Sequence, residues 1–468
     1  MAAYLLFEVM VMLLSRLNDV VWSPWLLGLF LAAGLYYSLR TGFFQIFRIP
    51  LWLRTTFGAM LRRRGRGNGR GISQFQALAT ALASTIGTGS IAGVATAIWF
   101  GGPGAVFWMW VSALLGMMTG CAEKLLSVRY RRAGPAGWLG GPMYYILDGL
   151  KSPLLAGWFA LACLPATLTG GDMVQSSSIA AALQATFGWD RLAVGAAVAV
   201  LTGLVMVGGI GRIARVSSGL VPAMALLYLG GGAAVLAARA DQIPEAMALI
   251  FCSALRPEAA VGGGMGYTLA AALRYGVARG VFTNEAGLGT SAMAHAAAEV
   301  DCPARQGMWG IVEVCVSTLL VCTATALVIL VSGVYGPADA LVRGALGAVP
   351  PDRLGAPLTA AAFSSVLGPW GGAVVSLSLL LFAFSSILGW SWYGEQSILY
   401  LTGSRRLVPA YRLVFLSCVV LGSVWEGEAV WELVDLCNAL MAIPNLTALL
   451  LLSPQVLREL RDWERTGG

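Results

Sequence analysis

The sequence predicts an all-α integral membrane protein with about 11 transmembrane helices. Of its 468 residues, 58% are hydrophobic and only 11% are charged, and the mean hydropathy is +0.76. Soluble globular proteins carry roughly 25% charged residues, so this chain has too few charges to cover a surface that faces water. Its apolar residues also form long uncharged blocks, such as 193–207, 314–331 and 374–388. These blocks approach the roughly 20 residues that span a bilayer.

A first span is expected near residues 20–39, and ten core spans follow it. Their approximate ranges are 73–99, 104–130, 153–187, 191–209, 213–238, 244–278, 306–333, 369–400, 407–424 and 429–452. Residues 1–72 would then hold an interfacial N-terminal segment, the extra transmembrane helix and a basic linker. Residues 73–453 would form the ten-helix core, and 454–468 a cytoplasmic tail. The proline-containing segment 336–368 is expected to cap the outer mouth, although a plain loop is the commoner interpretation.

The positive charges favour one orientation in the membrane. Eight arginines lie between residues 40 and 70, a stretch without any acidic residue, and positive loops of this kind stay cytoplasmic. Placing this linker inside also places most of the 30 Lys and Arg residues inside. We therefore predict a bacterial inner-membrane protein with an external N-terminus and a cytoplasmic C-terminus. The linker is expected to contact anionic lipid headgroups, so the net charge of +7 requires no nucleic-acid partner.

Two of the ten core helices contain glycine clusters in their interior. The first core helix carries the segment GTGS at 87–90, and the sixth carries GGGMG at 262–266. Each opens one half of five helices, and glycine-interrupted segments at matched positions of two halves indicate a transporter's binding site. Unwound backbone there offers amides to a carboxylate and carbonyls to a cation. The alternative is that these glycines only allow close helix packing.

Motifs of unusual composition are spread over residues 20–453. They lie at 88–97, 101–110, 140–145 (GGPMYY), 282–289 (FTNEAGLG), 294–298 (AHAAA), 382–390, 393–395 and 441–445. These motifs resemble those of the alanine or glycine:cation symporter family, within the amino acid–polyamine–organocation superfamily. The resemblance implies a leucine-transporter fold, in which two inverted five-helix repeats follow one extra N-terminal helix. It also implies sodium-driven uptake of alanine or glycine.

The resemblance and the helix breaks together assign the site residues. The expected substrate-binding residues are Thr88, Gly89, Ser90, Asp172, Gln175, Gly263 and Gly264, and the expected sodium-binding residues are Gly87, Ser385 and Ser386. In this fold the hydroxyls of the eighth core helix complete a sodium site with carbonyls of the first, and a hard cation prefers such oxygens. The alternative for Ser385 and Ser386 is hydrogen bonding to their own helix. Sodium is the only metal expected, without a transition metal or an organic cofactor.

The chain departs from the family pattern at three positions. Ser90 and Asp172 each stand where the family usually has asparagine, and Glu313 stands where it has aspartate. A carboxylate inside a bilayer is costly and marks a functional site, so Asp172 is protonated, paired with a cation or facing water. Its role stays open between direct contact with a cation, proton or substrate amine and a buried carboxyl that is hydrogen-bonded to neighbours. Glu313 is interpreted as structural.

We predict a secondary active symporter for alanine or glycine, coupled to sodium. The alternatives on the same fold are proton coupling and another substrate, such as serine, D-alanine or glutamine. A channel is not favoured, because it would usually show a repeated pore motif, whereas this chain has two different breaks in its two halves. An enzyme is not expected, because one histidine and scattered acids form no catalytic or metal constellation. That histidine, His295, is interpreted as a capping or packing residue, and Asn284 and Glu285 as cytoplasmic residues that brace an inner gate.

Overall fold

The computed structural model describes residues 2–58, 71–134, 137–255, 269–335, 355–425 and 428–466. Within these ranges, seven helices are long and apolar enough to cross a membrane, and two bent helix pairs bring the number to as many as nine. The all-helical membrane class is thus confirmed. The arrangement of about 11 helices in two inverted repeats stays a prediction.

The first half of the chain begins with two helices that meet at 44°. Its elements are α1 (Ala2–Val21), α2 (Pro24–Arg40), α3 (Phe44–Phe47), α4 (Ile49–Leu53), α5 (Gln74–Thr85), α6 (Val94–Gly101), α7 (Gly104–Arg129), β1 (Arg132–Gly134), β2 (Gly137–Leu139), α8 (Pro142–Leu150), α9 (Pro153–Leu168), α10 (Val174–Phe187), α11 (Arg191–Met206) and α12 (Gly209–Ala238). The strands β1 and β2 form an antiparallel hairpin. A π-helical turn precedes α6 (Gly89–Gly93), and another joins α9 to α10 (Thr169–Met173).

In the second half of the chain, the described secondary-structure elements are all helices. Its elements are α13 (Ile243–Leu255), α14 (Leu269–Asn284), α15 (Ala292–Ala296), α16 (Pro303–Val314), α17 (Thr323–Val331), α18 (Ala356–Leu367), α19 (Pro369–Thr402), α20 (Val408–Val424), α21 (Glu428–Leu451) and α22 (Ser453–Arg465). The π-helical segment Cys315–Cys322 makes α16 and α17 one continuous span.

Local sequence signals explain several helix starts. Ser73 and Gln76 form a reciprocal capping box at the start of α5, in which each side chain accepts from the other residue's backbone N–H. Proline occupies the first turn of α2, α9, α16 and α19, where its missing N–H leaves no helical hydrogen bond unmade.

Helix α7 lies at the centre of the packing, against α2, α13, α14 and α16. The backbones of α7 and α16 approach so closely that a Cβ on Gly310 would lie only 2.6 Å from the Gly120 carbonyl oxygen. Small residues let helix backbones approach in this way in membrane proteins. The N-terminal helix α1 packs against α21, so the expected interfacial segment lies within a helix that contacts the bundle.

The sixth core span, expected at 244–278 with a glycine break in its interior, is described as two helices. Helix α13 ends at Leu255, and α14 extends to Asn284 before the chain unwinds. In the unwound segment, Glu285, Gly287 and Gly289 have φ of 54°, 97° and 82°. Residues with a Cβ rarely adopt such positive values. A helix break therefore lies at 285–291. The glycine run at 262–266, with Gly263 and Gly264, lies outside the described residues.

Candidate functional site: two helix breaks around a small cavity

The first break separates α5 from the helix that begins at Gly89, and the two axes differ by 54°. Gly87 lies at its centre. A Cβ at this position would be 2.6 Å from Ser386 Oγ and 3.1 Å from Gln175 Oε1. The break therefore needs glycine because side chains of α10 and α19 occupy the space that a larger residue would fill.

Two adjacent serines of α19 face carbonyls of the first core helix. Ser386 Oγ lies 3.0 Å from Ala83 O and 3.2 Å from Ser84 O. Ser385 Oγ lies 3.0 Å from Ala83 O, and also 2.8 Å from Phe382 O of its own helix. Ser385 thus contacts both a carbonyl of the first core helix and a carbonyl of its own helix, as the two alternative interpretations expected. Four neutral oxygens gathered here, two hydroxyls and two carbonyls, are the type of ligand that a hard cation prefers.

Gln175 connects the first break to the third core helix. Its Nε2 donates to Gly170 O at 3.0 Å, and its Oε1 accepts from the Thr88 backbone N–H at 3.3 Å. Gly170 belongs to the π-helical turn Thr169–Met173, and such turns recur at functional sites. The amide thus holds the start of the second half-helix in place.

A central cavity of about 20 Å³ lies between the two breaks. It is lined by Ser84, Thr85, Gly87, Gly89, Gly170, Gln175, Phe282, Glu285, Leu288, Trp390, Val434 and Asn438. A single water needs roughly 10–15 Å³ measured in this way. In this conformation the cavity therefore has space for one or two waters, and a bound amino acid requires it to expand.

Phe282 separates this cavity from a much larger vestibule. The vestibule has a volume of about 730 Å³ and is lined by residues of α10, α14, α18, α19, α21 and the second half of the first core helix. Phe282 and Gly89 line both spaces, and a Cβ on Gly89 would lie 3.0 Å from the Phe282 ring. Trp431 flanks the same ring at a centroid distance of 6.4 Å. Movement of Phe282 would connect the two spaces.

The second break is clamped from both sides at Gly287. Its N–H donates to Glu123 Oε1 at 2.9 Å, and its carbonyl accepts from Asn445 Nδ2 at 2.8 Å. Asn445 Nδ2 also donates to Glu123 Oε1 at 2.7 Å, and Tyr145 donates to Asn445 Oδ1. Side chains of α7, α8 and α21 thus replace the helical hydrogen bonds that the unwound peptide has lost.

The clamp continues into a buried charged cluster. Lys124 Nζ lies 3.3 Å from Glu123 Oε2 and 3.3 Å from Glu313 Oε2. His295 Nε2 lies 3.1 Å from the same Glu313 oxygen, and Gln306 Nε2 lies 2.6 Å from His295 Nδ1. His295 is fully buried and joins Gln306 to Glu313 within a polar network.

The structure brings some predicted site residues together and separates others. Gly87, Gln175 and Ser386 meet, and Gly89 lines the cavity. Ser90 is buried away from that lining, and its carbonyl accepts from Thr325 Oγ1 at 2.9 Å. Thr88 lines the vestibule instead, and its buried Oγ1 has no hydrogen-bond partner among the described residues.

Asp172 also lies away from the cavity lining. The π-helical turn that contains Asp172 packs against α20. Before and after this turn in the sequence, Tyr411 of α20 donates to Thr167 Oγ1 at 3.1 Å, and Ser176 Oγ donates to Val419 O at 2.6 Å. Asp172 is fully buried. Neither of its carboxyl oxygens has a hydrogen-bond partner in the described part of the chain.

Several residues that line the central cavity were not predicted from the sequence as site residues. Glu285, expected in a cytoplasmic inner-gate segment, lines the central cavity and accepts a hydrogen bond from Thr290 Oγ1. Phe282 and Leu288 come from the same motif, whose alternating glycines at 287 and 289 were the available signal. The pair Glu123 and Lys124 inside an apolar span was a second signal.

The comparison with protein families decides the assignment, because a sequence model of the sodium:alanine symporter family matches residues 7–467. The chain belongs to the sodium:alanine symporter family. This family member is 41% identical over 456 residues to the Sodium/alanine symporter AgcS of Methanococcus maripaludis, and the alignment covers 96% of each chain. It is 36% identical to the Putative sodium/proton-dependent alanine carrier protein YrbD of Bacillus subtilis, over 96% of this chain and 92% of that one.

A solved structure extends the likeness to the fold. A manganese transporter of Eremococcus coleocola aligns with a TM-score of 0.53 at 16% identity, covering 83% of this sodium:alanine symporter family member and 81% of that chain. At this identity the likeness shows the fold alone. Family membership confirms the predicted resemblance. It also confirms the prediction of a membrane protein that belongs to a transporter family.

Proposed function

We propose that the protein takes up small neutral amino acids, alanine or glycine, in symport with sodium. The arrangement that carries the proposal is Ser385 and Ser386 facing the carbonyls of Ala83 and Ser84 beside the Gly87 break. A sodium ion bound to these oxygens would fix the break in the conformation that builds the central cavity. Sodium and substrate would then stabilise one another's binding, which is the requirement for coupling.

The substrate would lie in the central cavity between the two breaks. The half-helix that begins at Gly89 has its N-terminal end at this space, and a helix N-terminus favours a carboxylate. Glu285 and Gln175 supply oxygens on the wall that can accept from an ammonium group. The cavity is small and glycine-lined, which favours a substrate with a short side chain.

Alternating access would proceed through the two inverted five-helix repeats expected from the family. On the predicted topology, in the bacterial inner membrane with the C-terminus cytoplasmic, the vestibule opens to the outside. On the opposite side, backbone hydrogen bonds join Ile72 to Ala297 (3.0 Å) and to Glu299 (2.8 Å). Transport then requires Phe282 to move on the outer side and this contact to part on the inner side.

Proton coupling is the second candidate, and Asp172 favours it. A buried carboxyl without a hydrogen-bond partner is neutral unless a cation joins it, because an isolated buried carboxylate is very costly. One carboxyl group provides too few oxygens to replace the hydration of sodium. The relative YrbD carries a name that includes both ions.

Uptake by proteoliposomes tests both candidates. Radiolabelled alanine and glycine are supplied under an imposed sodium gradient and then under a proton gradient, with unlabelled serine, D-alanine and glutamine as competitors and protein-free liposomes as control. We expect accumulation that requires sodium and is suppressed by small amino acids. Accumulation under a proton gradient alone would favour the second candidate. If folded protein accumulates neither amino acid under either gradient, the proposed substrate class is wrong.

A further inference from the structure

A second cavity lies beside the vestibule, between α1, α14 and α21. This lateral cavity has a volume of about 140 Å³, roughly ten times the space that a single water needs. Aromatic rings of Trp22, Tyr275 and Phe282 form part of its wall, and charged side chains form much of the remainder. The proposed transport site does not use this space.

The N-terminal helix is fastened over the lateral cavity by specific contacts. Asn18 Nδ2 donates to the Glu432 backbone oxygen at 2.7 Å and to Glu432 Oε2 at 2.5 Å. Trp22 Nε1 donates to Asp435 O at 2.8 Å, and Arg274 lies 3.4 Å from Asp19. The cavity is therefore a built feature of the helix packing.

One group in the cavity wall lacks a partner. Asn18 is only 8% exposed, and its Oδ1 has no hydrogen-bond partner among the described residues. Its amide orientation is fixed, because Nδ2 faces two acceptors on Glu432. A buried acceptor without a partner costs free energy, and a ligand that donates a hydrogen bond would remove this cost.

The cavity wall carries both positive and negative side chains, which suits a ligand that carries a positive and a negative charge. Arg274 and Arg279 face Asp19, Glu432 and Asp435, so the carboxylates exceed the guanidinium groups by one. An ammonium group suits this surplus and the free Asn18 oxygen, while the guanidinium of Arg279 suits a carboxylate. A zwitterionic amino acid combines the two groups at a short separation.

We propose that the lateral cavity is a second binding site for a zwitterionic amino acid, with its ammonium group at Asn18 Oδ1 and its carboxylate at Arg279. The proposal rests on the proposed function for the identity of the ligand. Arg279, Glu432 and Asp435 also line the vestibule, so the ligand reaches the cavity from there.

Occupancy of this site would act on the gate residue. The Arg279 guanidinium carbon lies 5.7 Å from the centre of the Phe282 ring, a distance at which cations attract aromatic faces. A carboxylate bound at Arg279 competes for the same guanidinium and weakens its contact with the ring. An amino acid at the lateral cavity thus favours movement of Phe282 and entry of a second amino acid into the central cavity.

Equilibrium binding of radiolabelled alanine to the full chain in sodium-containing nanodiscs tests the proposal. We expect two alanines per wild-type chain, and one per chain in Asn18→Leu. Glu432→Gln keeps an oxygen for Asn18 Nδ2 but removes the charge, so it should weaken the second site at least tenfold without loosening α1. Arg16→Gln, on the same helix but outside the cavity lining, should leave two sites.

Each result distinguishes this site from the transport site. One alanine per wild-type chain, with unchanged affinity in both cavity variants, would overturn the lateral site and leave the symport proposal intact. Loss of the second site only in Gly87→Ala would place both alanines in the central region and also overturn it. Absence of any alanine binding to folded wild-type chain would refute the proposed substrate and the lateral site together.

Discussion

The hydroxyl of Ser386 occupies the space beside Gly87 so closely that a methyl group on Gly87 would lie 2.6 Å from its oxygen. Gly87→Ala should therefore displace the serine or the break and lower sodium-dependent uptake at least tenfold, with folded protein retained. Initial uptake rates in proteoliposomes measure this. Gly219→Ala, where a Cβ meets no atom within 4 Å, should keep uptake within about twofold and gain up to about 1 kcal/mol of helix stability. Normal uptake by Gly87→Ala would contradict this account of the break.

Ser386→Ala tests the cation site directly. The variant loses the hydroxyl that reaches Ala83 O and Ser84 O, so the sodium concentration for half-maximal uptake should rise about tenfold, or about 1.4 kcal/mol. The maximal rate at saturating sodium should change less. Ser391→Ala is the matched control, because Ser391 is equally buried on α19 but donates to Leu388 O of its own helix. Equal sodium dependence in both variants would remove Ser386 from the site.

Asp172→Asn separates the two coupling candidates. The amide keeps the size of the side chain but cannot take up a proton, so any uptake that a proton gradient drives in the wild type should disappear, while sodium-driven uptake persists. Asp190→Asn provides the control, since Asp190 caps α11 by accepting from Ala193 N and asparagine caps equally well. If Asp172→Asn keeps the wild-type response to both gradients, the carboxyl has no coupling role.

The charged cluster predicts a stability effect that depends on its pairs. Lys124→Met leaves Glu123 and Glu313 without their ammonium partner in a buried site, which should destabilise the fold by about 3–5 kcal/mol. Adding Glu313→Gln should recover part of this loss. Unfolding in detergent measures both. Arg305→Gln, at the partly exposed pair with Asp301, should cost no more than about 1 kcal/mol, and an equal cost for Lys124→Met would contradict the role of the cluster.

The first half of the site could be predicted because its signals are local. Glycines at 87 and 89 interrupt an apolar span, and such an interruption has few structural explanations in a membrane. The motif resemblance added Gln175 and Ser386, and these two side chains do meet at Gly87.

The break at 285–291 was not predicted because distant residues stabilise it. It begins at Glu285, a residue with positive φ, whereas the glycine run predicted as a break, 262–266, lies outside the described residues. The Gly287 peptide is held by Glu123, 164 positions away, and Asn445, 158 positions away. A pattern within one segment does not reveal such partners.

Sequence alone did not predict the different surroundings of Asp172 and Gln175. In a regular α-helix, residues three apart share a face. Asp172 lies in the π-helical turn Thr169–Met173, where this α-helical spacing does not hold. The turn packs against α20, while Gln175 accepts from the Thr88 N–H of the first break.

The difference in size between the vestibule and the central cavity would select substrates by size, at the step in which the site closes around them. A bulky amino acid fits into 730 Å³, but the central cavity of 20 Å³ would have to expand further around it than around alanine. Such a molecule would occupy the protein without crossing the membrane, and would compete with the substrate as a blocker. Inhibitors of this carrier can therefore be designed by keeping the zwitterionic head and enlarging the side chain toward Phe282.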